Sequence, residues 1–286
     1  WELDVCPEST PSEGASQGAT VLVDAHVHLH PRYDEGRFFD AALRNFREAA
    51  EAMEVGEDWH GVLVFTEVSG VDRFGALVSR SGDSLGGGWT VEATSEEVSL
   101  RLRRREEERG LTVVAGRQVQ TAEGLEVLCF PLRRSISDGL PILDVLRLAP
   151  ERGSLSVVPW GFGKWMGRRG RTLRALLDHE PELPFLLADT GHRPRWLPGP
   201  SRIRGSEPPG RPIVTGSDPL PLPGEEARAG SCCFTATVHG FEERPAEGLR
   251  AALAALDRSP ERYERRAGIG RMTTSQVGMQ IRKRTR

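Results

Sequence analysis

The run Val21-Leu22-Val23-Asp24-Ala25-His26-Val27-His28 constrains the fold more than any other part of the chain. It is apolar and largely β-branched on both faces until a carboxylate and two imidazoles enter, which is the pattern of a buried strand in a parallel sheet. After Pro31, the apolar residues Phe38, Phe39, Ala42, Leu43, Phe46, Ala49, Ala50 and Met53 recur at helical spacing and predict a helix with one buried stripe. Gly61-Val62-Leu63-Val64-Phe65-Thr66 reads as the next strand, so the chain opens as a βαβ unit. The 286 residues are 38% hydrophobic and 28% charged, enough apolar material for one large domain. The expectation is α/β: a distorted, TIM-like β/α barrel over residues 20–260, flanked by a disordered leader over 1–19 and a basic flexible tail over 261–286.

Further elements follow from local pattern. The charge-dense stretch 101–109 reads as a helix. Residues 111–119 and 125–130, joined by Thr121-Ala122-Glu123-Gly124, read as a hairpin. Strands are expected over 154–158, 183–188, 212–216 and 232–238, and helices over 142–148, 171–179 and 246–256. In a parallel sheet wrapped by helices, chemistry gathers at the carboxyl ends of the strands.

The first strand carries the chemistry. Alternation along a strand puts Asp24, His26 and His28 on one face, with Val23, Ala25 and Val27 on the other. Two imidazoles at alternate positions can share one cation without moving the backbone, and Asp24 can orient one of them from behind. His30, beyond the strand, reads equally as a solvated loop residue and as a ligand.

The motif Val23-Asp24-Ala25-His26-Val27-His28 resembles the opening of metal-dependent hydrolases of the amidohydrolase and polymerase-and-histidinol-phosphatase (PHP) kinds. The second strand is more similar to the PHP kind. Where that family has Thr-Asp-His, this chain has Thr66-Glu67-Val68. Where the family has Gly-x-Glu followed by Thr-x-Glu-Gly, it has Gly116-Arg117-Gln118 and Thr121-Ala122-Glu123-Gly124. Pro159 and Trp160 stand where a histidine is usual, and the family's Gly-Ser-Asp-x-His is here Gly216-Ser217-Asp218-Pro219-Leu220. The resemblance spans about residues 21–256. It implies His26, His28, Asp218 and Glu67 as metal ligands, with Asp189 or His192 added from Ala188-Asp189-Thr190-Gly191-His192. That set suits one divalent ion, zinc, manganese or similar, rather than a three-ion cluster. It also implies hydrolysis with Asp218 or Glu67 as base.

The segment Gly161-Phe162-Gly163-Lys164-Trp165, followed by Arg168, lies between a strand and a helix, where cations and backbone amides suit an anion. Lys164, Trp165 and Arg168 are therefore expected to bind substrate. The net charge of −3 and pI near 6.2 speak against a nucleic-acid partner held by bulk charge, even allowing for the basic tail. A small anionic molecule, such as a phosphoester, is the expected substrate. Cys6, Cys129, Cys232 and Cys233 form no CxxC pair, and no stretch is apolar enough to span a bilayer, which together suggest a cytoplasmic protein. The sequence leaves the oligomeric state open. The competing expectation is a barrel that has lost catalysis and serves as a binding or scaffolding module, because Val68, Gln118, Trp160 and Leu220 stand at family ligand positions.

Overall fold

The computed structural model describes residues 18–105, 107–160, 167–190 and 211–265. The chain runs β1 (Ala19–Val27), α1 (Glu35–Ala52), β2 (His60–Glu67), α2 (Arg73–Val78), β3 (Trp89–Ala93), β4 (Ser99–Arg104), β5 (Leu111–Gln120) and β6 (Glu126–Phe130). It continues with α3 (Ile142–Glu151), β7 (Leu155–Pro159), α4 (Gly167–His179), β8 (Leu186–Thr190), β9 (Ile213–Gly216), β10 (Cys232–Val238), α5 (Pro245–Ala254) and β11 (Arg262–Glu264). The strands join in one sheet in the order β11-β10-β1-β2-β5-β6-β7-β8-β9, with β4 also paired to β5 and β3 to β4. The sheet curls into a nearly closed barrel with helices outside, the expected distorted TIM-like form.

Its strands are not uniformly parallel, as the opening βαβ pattern suggested. β1, β2 and β5 run parallel, as do β7, β8 and β9, but β6 lies antiparallel between β5 and β7, and β10 antiparallel to β1. The hairpin turn at Thr121 to Gly124 dictates this reversal, since so short a connection can only join antiparallel strands. The carboxyl ends of β1, β2, β5, β7, β8 and β9 therefore still share one rim.

Two sequence-based expectations fail for physical reasons. A helix is expected over 101–109, but Ser99–Arg104 form strand β4, because Leu100 and Leu102 alternate with Arg101 and Arg103 and both leucines pack into the outer core. Residues 262–264, expected in the tail, form β11 against the start of β10. Residues 1–17 and 266–286 lie outside the described residues.

Packing divides into an inside and two outer layers. Val23, Val64, Val114, Leu128, Val157 and Phe234, from six strands, meet in one buried cluster that fills the barrel. Leu249 and Leu253 of α5 join that cluster, and Gly248 lies against Val238 at the end of β10, so α5 closes the barrel's amino end. α1 covers β1 and β2 with Phe38, Phe39 and Phe46, while α3 and α4 cover β6 to β8. Asp34 starts α1 by accepting the Arg37 N–H at 2.8 Å, the N-cap arrangement. With the amino end sealed, the carboxyl rim is where a site can open.

Candidate metal centre

The end of β1 departs from regular alternation, and that departure shapes the site. Val21, Val23 and Ala25 face the interior cluster, yet Val27 shares the outer cluster with Leu22. The register with β2 shifts between Asp24 and Val27, so an irregularity falls just where the two imidazoles begin. Asp24 consequently does not orient an imidazole. Its buried carboxylate accepts the backbone N–H groups of Ser217 and Gly230 at 2.8 Å each and of His26 at 3.3 Å. Burial pushes its pKa up to about 7 against the pull of those donors. Nδ1 of His26 is buried with no hydrogen-bond partner among the described residues.

Asp24 thus ties β1 to the segment that delivers Asp218. β9 approaches β1 so closely that a Cβ on Gly216 would lie 2.5 Å from both N and Cβ of His26, so only glycine fits. Two residues on, the Asp218 N–H donates to the His26 carbonyl at 2.8 Å. Asp218 has φ +44°, in the left-handed region. The following chain is held from below: Asn45 of α1 donates to the carbonyls of Ala227 and Ala229, and Arg228 donates to Ser217 O at 3.3 Å.

These restraints bring three donor atoms together. Nε2 of His26 and Nε2 of His28 are 3.1 Å apart, and each is 3.5 Å from Oδ1 of Asp218. Zinc holds nitrogen and oxygen ligands at about 2.0–2.2 Å in a tetrahedron, which separates donor atoms by about 3.3–3.6 Å. Both distances to Asp218 fall in that range and the His26–His28 separation is slightly shorter, so the three atoms could hold a metal ion together. The donors, two imidazole nitrogens and a carboxylate oxygen, also suit a borderline divalent cation. His26 is fully enclosed, whereas the side chains of His28 and Asp218 are 12% and 18% exposed, so the group opens to solvent on one side.

Gln118 of β5 is a neighbour that its amide character had argued against: its Oε1 lies 3.1 Å from His26 Nε2. Other candidates fall elsewhere. Glu67 ends β2 on the same rim, but its carboxylate accepts the Phe74 N–H at 2.9 Å and pairs with Arg117 at 3.2 Å, and it is not among the converging donors. It anchors the start of α2, and burial raises its pKa despite both partners. Asp189 is buried on β8 and likewise stands outside the converging group. Trp160 is packed into the α3–α4 core, and its backbone N–H donates to Ala188 O. Arg168 is exposed in the first turn of α4. Lys164, Trp165 and His192 lie outside the described residues. No residue motif announces Gly216; only the close approach of β9 to β1 reveals it.

No family model and no curated protein matches the sequence. The fold does have solved counterparts. It is similar to PsfC from Pseudomonas syringae PB-5123, with a TM-score of 0.50 at 14% identity over 92% of this chain and 98% of PsfC. Lower scores relate it to the lesion-specific endonuclease PfuEndoQ from Pyrococcus furiosus (0.46, 13% identity, 80% of this chain) and to Endonuclease Q in complex with a 27-mer duplex substrate (0.49, 14%, 85%). The chain spans just over half of those two proteins, 56% and 58%. The likeness to PsfC is one of fold. The expectation of a small anionic substrate, with nucleic acid unlikely, is withdrawn against the duplex substrate in the Endonuclease Q structure, a likeness of fold that assigns no substrate to this chain. That expectation rested on net charge, which says nothing of how charge is distributed over a surface. Among the described residues, no helix is long and apolar enough to cross a membrane.

Proposed function

We propose that the chain is a metal-dependent hydrolase of the PHP kind that cleaves phosphoester bonds with one divalent ion. The observation that carries this reading is the convergence of His26, His28 and Asp218 within ligand spacing at an open barrel rim. When bound, the ion supplies Lewis acidity and a water-derived nucleophile active near neutral pH. His26 and His28 would hold it as neutral donors. Asp218 would hold it with them and would serve as the proton acceptor at the mouth. Glu67 takes no part, because its carboxylate serves α2 and Arg117. Gln118, neutral where the family has a carboxylate, leaves the site without the negative charge that a second ion needs. Arg168, exposed at the start of α4, is a substrate contact on the same rim.

The test is turnover on a panel of phosphoesters, including aryl phosphates and single- and double-stranded oligonucleotides, with and without chelator. The reading expects hydrolysis that chelator abolishes, that zinc or manganese restores, and that His26→Ala with His28→Ala loses. Turnover that persists in chelator and in the double variant would refute it. Turnover on nothing in the panel would favour a binding module, which the substitutions at Val68, Gln118, Trp160 and Leu220 also suit.

A further inference from the structure

The loop that follows the two imidazoles grips the segment that follows Asp218. Nε2 of His30 lies 2.9 Å from the carbonyl of Pro219. A carbonyl only accepts, so that nitrogen carries the proton and donates, which removes it from any ligand set. Three residues on, the Tyr33 hydroxyl donates to the carbonyl of Leu220. Burial, together with the nearby carboxylates of Glu225, Glu226 and Asp218, pushes the ionisation of that hydroxyl far upward, so it stays a donor. Both side chains sit in a row of rings: His28 to His30 at 5.7 Å, His30 to Tyr33 at 5.1 Å, and Tyr33 to Phe38 at 6.1 Å between centroids. Phe38 is wholly buried in the α1 core, so the row is founded on rigid structure.

Such a grip answers a need. Asp218 adopts φ +44°, a strained conformation for a non-glycine residue, and Pro219 restricts it further from the other side. A backbone in that state persists only when its surroundings hold it. Its own N–H is tied to His26 O, and the next two carbonyls are tied to His30 and Tyr33. We infer that His30 and Tyr33 are positioning residues that hold the Asp218–Leu220 segment and thereby set the carboxylate at its spacing from His26 and His28. The inference rests on the metal-site reading and adds two residues that act on the site through the backbone carbonyls of Pro219 and Leu220. Hydrogen bonds that fix ligands from behind are worth about 10–100-fold in metal affinity.

The experiment is titration of chelator-stripped protein with zinc(II), and separately with cobalt(II) read by its visible spectrum. The variants are Tyr33→Phe, which keeps the ring on Phe38, His30→Ala, and His30→Gln, which restores a donor. Tyr33→Phe and His30→Ala are expected to bind zinc about 10–100-fold more weakly and to shift the cobalt spectrum, with His30→Gln recovering most of the affinity. Wild-type affinity and an unchanged spectrum in Tyr33→Phe and His30→Ala would overturn the positioning role while leaving the metal site standing. If wild type and His26→Ala with His28→Ala take up zinc equally, the metal-site reading itself fails, and the positioning role with it.

Discussion

The Asp218 N–H is bonded to the His26 carbonyl at 2.8 Å, so the carboxylate contributed from beyond β9 is joined through the backbone to the imidazole contributed by β1. The two chains meet edge to edge at this seam of the barrel, and the candidate metal centre is built on the join. Removing the carboxylate while keeping the backbone bond separates ligand from scaffold. Asp218→Ala is expected to leave the fold intact and to lower zinc affinity by more than the roughly 100-fold that marks the upper range for a supporting hydrogen bond. Calorimetric titration of the stripped variant reads this directly, and wild-type affinity would remove Asp218 from the ligand set.

Gly216 makes that join possible. Gly216→Ala would bring a methyl group to 2.5 Å from the backbone nitrogen and Cβ of His26, and neither chain can yield without breaking the seam. Overpacking of this kind costs about 1–3 kcal/mol. The variant should unfold at lower urea concentration and bind zinc more weakly. Unchanged stability would mean that β9 and β1 do not approach as closely as described.

Glu67 offers a pH-dependent test that is separate from the metal. Burial raises its pKa in the folded chain above the ordinary carboxylate value, so the folded state holds that proton more tightly than the unfolded state. The stability it contributes is fully present below the ordinary value and is lost as pH rises through the folded one. In chelator, wild type should lose stability as pH rises above the ordinary carboxylate value, and Glu67→Gln should reduce that loss. Arg117 keeps the Arg133 and Val71 carbonyls in the variant, so it is not stranded. Zinc affinity should be unaltered. A variant with the wild-type pH slope, or one that loses zinc, would contradict the account.

The amino end gives a packing control. Leu253→Ala, in the helix that seals the barrel, is expected to cost about 2–5 kcal/mol in urea unfolding and to leave the zinc affinity of the folded protein unchanged. A marked change in affinity would link the seal to the rim.

Much of this fold is legible in residue pattern alone. Strands such as β10 and the hairpin β5–β6 declare themselves by β-branched runs and a glycine turn, and α1 by its apolar stripe. β4 does not, because two leucines between arginines fit a short strand as well as a helix face, and only pairing with β5 decides. The mixed direction of the sheet hides for a related reason, since a strand's residues show its burial more than its neighbour's direction. At the site, His26, His28 and Asp218 can be read from motif and resemblance. Asp24 cannot be read correctly, because a one-residue irregularity in β1 breaks the alternation on which its role as a partner to imidazole depended. Glu67 misleads in another way. A carboxylate at a strand end looks like a ligand until a helix start and an arginine are seen to occupy it. Tyr33 and His30 act through carbonyls nearly 190 positions away, a relationship that no local pattern carries.

The most direct test of the central claim is anomalous diffraction at the zinc edge from crystals grown with zinc. A single peak is expected within about 2.0–2.2 Å of Nε2 of His26, Nε2 of His28 and Oδ1 of Asp218. A peak bound elsewhere, or none at this rim at full zinc loading, would contradict it.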